Sequence, residues 1–401
     1  MFNIDDINDS ISSFLDTFFT NINTEQGVSI DKEVKEPHIR FARQDLVNMI
    51  TLASPILNPK SSQVVPKSIV IVYREDSYRM IANNDLEYLE YQFDVLNTEN
   101  RLCDTLALPL DLVKSFANML AEEIIIYKSG DGYFIRLLLE GDLYLELPSP
   151  EESLVERPFE DTEPFTYKSN SGEDKNLVSV SHLSEALKAL IPILSEEPIL
   201  EKRRITFTKD RAYFISNKYF MEYRLPLPSM RIGLRVATIL RKICLFCNNE
   251  GGMYFFKDTK YQSRIVVKVK NIVFSSTVTS TTNESELLAY LDRMRNHKQV
   301  LVSIKDLARV VSVANDLPYS KKEVKIKLGE DMGIYIPMKT RVTNFRLPVK
   351  VIDTGTKKEV PISAEKLANL LASFSNGEAI LSITDKLLII SKDNLLGAVT
   401  I

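Results

Sequence analysis

Apolar residues along the chain recur with two alternating periods. Stretches at the three-four spacing of one helical face are each followed by β-branched and aromatic runs at strand spacing. The first strand after each helix shows the repetition best: Ile69–Tyr73, Ile124–Tyr127, Ile205–Phe207, Met253–Phe256, Val324–Leu328 and Ile380–Ile383. Two more alternating strands follow each of them. A unit of roughly 60 residues repeated about six times marks a repeat architecture. The periodicity predicts helices at 43–54, from Pro109 onward, and at 181–194, 231–245, 303–316 and 363–374. Taken in pairs, the units give an α+β chain of three similar domains, at 41–150, 179–284 and 285–401. Each domain has two halves, a helix plus antiparallel strands.

Two segments stand outside the repeat. In residues 1–40, Ile4, Ile7, Ile11, Phe14, Leu15, Phe18 and Phe19 fall on one helical face, with Asp5, Asp6, Asp9 and Asp16 between them. Acids early in a helix suit the positive end of its dipole. A polar stretch, 21–36, then reads as a tether. Residues 151–178 are rich in carboxylates, Pro and Ser, a composition that marks an inter-domain connection.

Composition narrows the class. With 44% hydrophobic and 26% charged residues, 401 residues can bury a real core. No run approaches the roughly 18 apolar residues a membrane span needs, and the acidic start matches neither a signal nor a transit peptide. Three cysteines fit a reducing compartment, so a cytoplasmic protein is expected. A net charge of -4 argues against coating nucleic acid over the whole surface; a local basic face remains open. Cys244-Leu245-Phe246-Cys247 has metal-site spacing, but zinc needs about four ligands and no second pair follows. Buried thiols at a helix end are the better reading. Neither a phosphate-cradling loop, nor a nucleophile elbow, nor a zinc-protease motif occurs. Asp331 and Asp385 sit in turn-like settings with no His or Cys near them in sequence. Neither catalysis, nor a cofactor, nor a metal is expected.

Short local motifs add a family resemblance. Asn84-Asp85-Leu86-Glu87 looks like the Thr-Asp-Leu-Glu element of the bacterial β sliding clamps, the processivity rings of replicative DNA polymerases. Ala308-Arg309 through Ala314-Asn315 is similar to that family's helix ending in Ser-Asn. Leu381-Ser382-Ile383-Thr384-Asp385 resembles its Leu-Thr-Asp turn. The pattern spans about 41–401, in the family's order. Departures are also clear. Ser216-Asn217-Lys218-Tyr219-Phe220-Met221 stands where the family has Thr-Asp-Gly-His-Arg-Leu, the chain ends Gly397-Ala398-Val399-Thr400-Ile401 rather than in a Met-Pro-Met-Arg-Leu-like tail, and residues 1–40 have no counterpart. The resemblance implies a divergent, phage-type member.

The resemblance implies a ring, two chains head-to-tail, with twelve helices around duplex DNA. The helix polar faces then meet phosphates through Gln44, Lys114, Lys188, Arg231, Arg235, Lys242, Lys305, Arg309 and Lys366. Lys and Arg give salt-dependent attraction without base readout. The plainer alternative is that any amphipathic helix has a solvated polar face. A groove for partner peptides falls at Tyr219, Phe220, Met221, Asn315, Tyr319, Val399, Thr400 and Ile401, which could equally be edge-strand core. Leu15, Phe18 and Phe19 resemble a clamp-binding peptide, with Ser12 where such peptides carry Gln, so the extension is a candidate competitor for that groove; the plainer reading is a helix packed elsewhere on the body or an anchor for an unrelated protein. Expected partners are duplex DNA, a DNA polymerase and clamp-loader-like proteins. The rival expectation is a clamp-derived adaptor that recruits transcription or repair factors without closing a ring.

Overall fold

Among the described residues each α-helix is entered through a short strand that the periodicity does not reveal. In the first unit β1 (His38–Ala42) runs into α1 (Arg43–Ala53), then β2 (Ser68–Arg74), β3 (Ser77–Asn83) and β4 (Glu87–Phe93). The second has β5 (Leu106–Pro109), α2 (Leu110–Ala117), β6 (Glu123–Ser129), β7 (Gly132–Leu137) and β8 (Gly141–Leu145). The third has β9 (Leu177–Ser179), α3 (Val180–Ser195), β10 (Arg204–Phe207), β11 (Arg211–Ile215) and β12 (Tyr219–Arg224). The fourth has β13 (Met230–Gly233), α4 (Leu234–Phe246), β14 (Gly252–Lys257), β15 (Arg264–Val269) and β16 (Ile272–Thr277). The fifth has β17 (Gln299–Ser303), α5 (Ile304–Asp316), β18 (Glu323–Leu328), β19 (Met332–Pro337) and β20 (Val342–Leu347). The sixth has β21 (Lys358–Ser363), α6 (Ala364–Leu371), β22 (Glu378–Ile383), β23 (Leu387–Lys392) and β24 (Leu395–Thr400).

The structure is a computed structural model that describes residues 36–97, 99–118, 122–129, 132–137, 141–145, 155–159, 164–168, 173–257, 264–279, 299–317, 322–328, 332–337, 342–347, 350–351, 358–384 and 386–401. Leu15, Phe18, Phe19 and Tyr319 lie outside the described residues.

The leading strands fuse units into domains. β1 pairs with β6 of the second unit, and β5 pairs with β2 of the first. The same exchange joins the third and fourth units, through β9–β14 and β13–β10. It also joins the fifth and sixth, through β17–β22 and β21–β18. His38–Arg40, read from sequence as part of the N-terminal extension, therefore belongs to the first domain.

Domains merge through the last strand of a unit. β4 pairs antiparallel with β16, making a sheet ordered β9-β14-β15-β16-β4-β3-β2-β5. β12 pairs with β24, making β13-β10-β11-β12-β24-β23-β22-β17, with the two-residue strand Lys350–Val351 at its edge. Two further sheets, β1-β6-β7-β8 and β20-β19-β18-β21, have four strands each, and Tyr167–Lys168 pairs with Asp174–Lys175 in a two-stranded ribbon. Beneath the sheets the helices form one layer in the order α2-α1-α4-α3-α6-α5.

Both faces of the merged sheets bury apolar side chains. Ile69 and Ile71 point into the core shared with the helices, while Val70 and Val72 enter a cluster on the reverse face with Tyr88, Val155 and Phe159. Double-sided burial is why these strands read as unbroken apolar runs. Helix starts are specified locally. Ser179, Ser303 and Ser363 each accept the backbone N–H three residues on, capping α3, α5 and α6. Among the described residues no helix is long and apolar enough to cross a membrane.

Candidate nucleic-acid interface

The helix layer segregates charge. Its six helices carry nine basic and six acidic side chains, in a chain whose net charge is -4. Only part of this basicity is free to meet an external anion. Lys114, Lys188, Lys305 and Arg309 are exposed on α2, α3 and α5. Gln44 is also exposed, and its Nε2 donates to Asn48 Oδ1 at 2.9 Å.

Other expected contacts are engaged elsewhere. Arg235 reaches from α4 to β4 and donates through Nε to Glu87 Oε1 at 2.9 Å and through Nη2 to Glu87 Oε2. The Glu87 side chain is 3% exposed, so this fork holds a buried carboxylate. Lys242 Nζ donates to the Thr51 carbonyl at 2.9 Å, at the end of α1, where a cation suits the helix dipole. Burial pushes its ammonium pKa down. Both residues therefore tie the second domain to the first. Lys366 is half-buried, with Nζ 3.5 Å from Thr400 Oγ1.

Arg231 requires a correction. It lies on β13 and exchanges backbone hydrogen bonds with Thr279, and its Nε is buried without a hydrogen-bond partner. The helix predicted at 231–245 begins only at Leu234, because Met230–Gly233 pairs with β10. On the side of α4 that ends at the exposed Leu245, Thr238 and Arg241 are half-buried. Arg241 is the basic residue that the sequence reading missed. Its spacing, three residues after Thr238 and four before Leu245, sets it apart from the buried Val236, Ile239, Leu240 and Ile243.

The residues expected at a partner groove separate into two groups. Tyr219, Phe220, Met221 and Val399 are at most 4% exposed. They are seam residues, since β12 and β24 pair in mid-sheet rather than ending it. Tyr219, Met221 and Val399 join the main core, and Phe220 packs on the reverse face with Tyr213, Leu387, Ile389 and Ala398. As they stand, these four are sheet interior. Asn315, Thr400 and Ile401 are partly exposed. The Asn315 carbonyl accepts from Lys322 Nζ at 2.9 Å. The backbone N–H of Thr400 donates to Lys218 O at 3.0 Å, and that of Ile401 to Lys386 O at 2.9 Å.

The cysteine pair is buried at the end of α4. Burial pushes the Cys244 thiol up to about 12 and raises that of Cys247, which keeps both protonated.

No protein-family model and no curated protein sequence matches the chain. Solved structures match it in fold over nearly its whole length. One is the DNA polymerase III β subunit of Thermotoga maritima, at 13% identity and a TM-score of 0.70, covering 90% of this chain and 98% of that one. Another is a sliding clamp of Pseudomonas aeruginosa bound to griselimycin, at 11% and 0.73, covering 91% and 99%. A third is the Helicobacter pylori β clamp bound to a DNA ligase peptide, at 12% and 0.71, covering 90% and 99%. The chain has the fold of the bacterial DNA polymerase III β sliding clamps.

Proposed function

We propose that the chain is a sliding clamp that encircles duplex DNA and tethers a DNA polymerase or other factors. The supporting observation is a pairing rule. In both inter-domain seams the last strand of one unit pairs with the last strand of another, β4 with β16 and β12 with β24. Among the described residues two last strands are left over, β8 and β20, each at the rim of a four-stranded sheet at opposite ends of the helix layer. Joining β8 of one copy to β20 of the next makes a third seam of the same kind. It covers two backbone edges that are otherwise templates for pairing. A head-to-tail contact of this sort closes when the rotation per copy allows it, and two chains supply six domains and twelve helices.

The mechanism is topological, with no chemical step. Lys114, Lys188, Arg241, Lys305 and Arg309 face the enclosed duplex and meet phosphates without reading bases. Sparse cationic contact favours movement along DNA, since each held phosphate adds to the salt-dependent grip. Partners dock on the outside, near Asn315, Thr400 and Ile401, and a clamp-loader-like protein opens the ring. We place the protein, a homodimer of phage type, in the cytoplasm.

Retention on circular DNA, before and after linearisation, tests the reading. Loss on cutting supports encirclement. Equal loss from both forms, or a monomeric mass at micromolar concentration, replaces it with the adaptor that recruits factors without a ring.

A further inference from the structure

The two seam strands carry the same chemical device. On β4, Glu90 is answered by Arg79, eleven residues earlier, at 3.0 Å, and the next residue, Tyr91, donates to Asp45 of α1 at 2.6 Å. On β12, Glu222 is answered by Arg211, again eleven residues earlier and at 3.0 Å, and Tyr223 donates to Glu185 of α3 at 2.7 Å. Each glutamate lies on the outer face of its sheet and is at least nine-tenths buried.

The devices then diverge. Glu90 also receives Arg157, whose Nε donates to Oε2 at 3.0 Å and Nη2 to Oε1 at 2.7 Å, and it accepts from Tyr88 at 2.7 Å. Arg157 comes from the segment read from its composition as the connection between the first two domains. Residues 155–159 lie on the sheet. Val155 is fully buried and its carbonyl accepts from Arg74 at 3.2 Å, while Phe159 meets Tyr88 edge-on with ring centroids 5.9 Å apart. Further on, Pro164 bridges to Phe256 and Phe165 N–H donates to Phe255 O, both in the second domain. The connection thus crosses the first seam as a strap, gripping it at Glu90. Among the described residues Glu222 has no such grip, and its Oε2 is buried without a hydrogen-bond partner.

Protonation behaviour follows the contrast. Burial pushes both carboxyls up. At Glu90, Arg157, Tyr88 and Arg79 outweigh burial and hold the carboxyl below its usual range. At Glu222, Arg211 and Arg224 do not, and the carboxyl stays raised.

We propose that Arg157 is a positioning residue that locks the first domain seam, and that the second seam, where Glu222 lacks an equivalent among the described residues, is where the helix layer bends. The inference concerns one chain and holds whether or not two chains close a ring. A bidentate guanidinium fixes direction as well as charge, and an orphaned acceptor in a buried site leaves its seam the easier to open.

Spin labels test this in the full chain with Cys103→Ser, at Asp111 on α2, His182 on α3 and Ser312 on α5, all exposed. The distance distribution from 111 to 182 spans the first seam, and that from 182 to 312 spans the second. In the parent the first is the narrower. R157A widens it about twofold and leaves the second unchanged, and R157K, which keeps the charge but not the fork, widens it as well. Equal parent widths, an unchanged first width in both variants, or equal widening of both distances overturns the proposal. Should R157A fail to fold, R157K decides alone.

Discussion

Arg235 and Arg309 look interchangeable in sequence, as single basic residues on amphipathic helices. The structure gives them different work, and Ala substitution separates the two. Removing Arg235 strands Glu87, a carboxylate with a 3% exposed side chain that takes both arms of the guanidinium. Breaking a buried pair from one side costs about 3–5 kcal/mol. Here the Arg235 side chain is 47% exposed, so water reaches the vacated side and screens part of the loss. The remainder is about 2 kcal/mol, roughly a 30-fold change in an opening equilibrium. Hydrogen exchange of the seam amides in 87–91 and 272–276 should accelerate by about that factor in R235A. The salt dependence of duplex binding should stay unchanged.

R309A should behave in reverse. Arg309 is exposed, so stability moves by no more than about 0.5 kcal/mol. Giving up one phosphate lowers the slope of log K against log salt by about 0.9, and a dimer carries the substitution twice. Equilibrium binding of a short fluorescent duplex across a salt series reads the slope, and mass-resolved hydrogen exchange reads the seam. The reasoning fails if both variants lower the slope alike while exchange at the seam is unaltered.

Three further substitutions probe other links. Gly397 lets α6 approach β24, because a Cβ there would lie 2.8 Å from Leu370 Cδ1 and 3.1 Å from the Phe374 ring; G397A should cost about 1–3 kcal/mol, read by urea unfolding, and a neutral result refutes the close packing. Glu90 is held below its ordinary 4.5, so in the window just under 4.5 the unfolded chain takes up its proton first. Its contribution is present above that value and lost as pH falls through the folded one, and E90Q should lower stability at pH 7 and flatten the acid limb. For Glu222 the sign reverses, since a raised carboxyl favours the folded state below 4.5 and loses that advantage as pH rises above it. E222Q should not lower stability at pH 7, and a loss there like that of E90Q would contradict the assignment. Finally, a thiol reagent should modify Cys103 alone in the native chain, with Cys244 and Cys247 reacting only after denaturation.

Helices and the three strands after each were legible because their apolar periods are local. The strands leading into the helices were not. β9 has three residues and β5 and β13 four each, too short for a period to register. They are specified by partners far along the chain, as Val70 opposite Ala107 shows. The same blindness misplaced Arg231 and made Tyr219–Met221 look like an edge. Whether a basic side chain is free was equally hidden, since the partners of Arg235 and Lys242 lie 148 and 191 residues away.

What the motifs encode explains how a chain at 10–13% identity to the clamps still keeps their fold. Asn84 Oδ1 accepts from the N–H groups of Leu86 and Glu87 at 2.8 and 2.7 Å. Ser216 Oγ accepts from Lys218 and Tyr219, and Thr384 Oγ1 from Lys386 and Leu387, in the same two-donor pattern. The Asn84 and Ser216 turns lead into the seam strands β4 and β12, and the Thr384 turn joins β22 to β23; any short side-chain oxygen acceptor serves at the first position. Asn, Ser and Thr all occupy it here. The following residues are under no such constraint, so the family's His-Arg-Leu can become Tyr219-Phe220-Met221 without disturbing the turn. A resemblance carried by these motifs therefore speaks for strand direction and seam formation. On the proposed function, partner choice depends on side chains the turn leaves free, and the proposed docking surface is that around Asn315, Thr400 and Ile401.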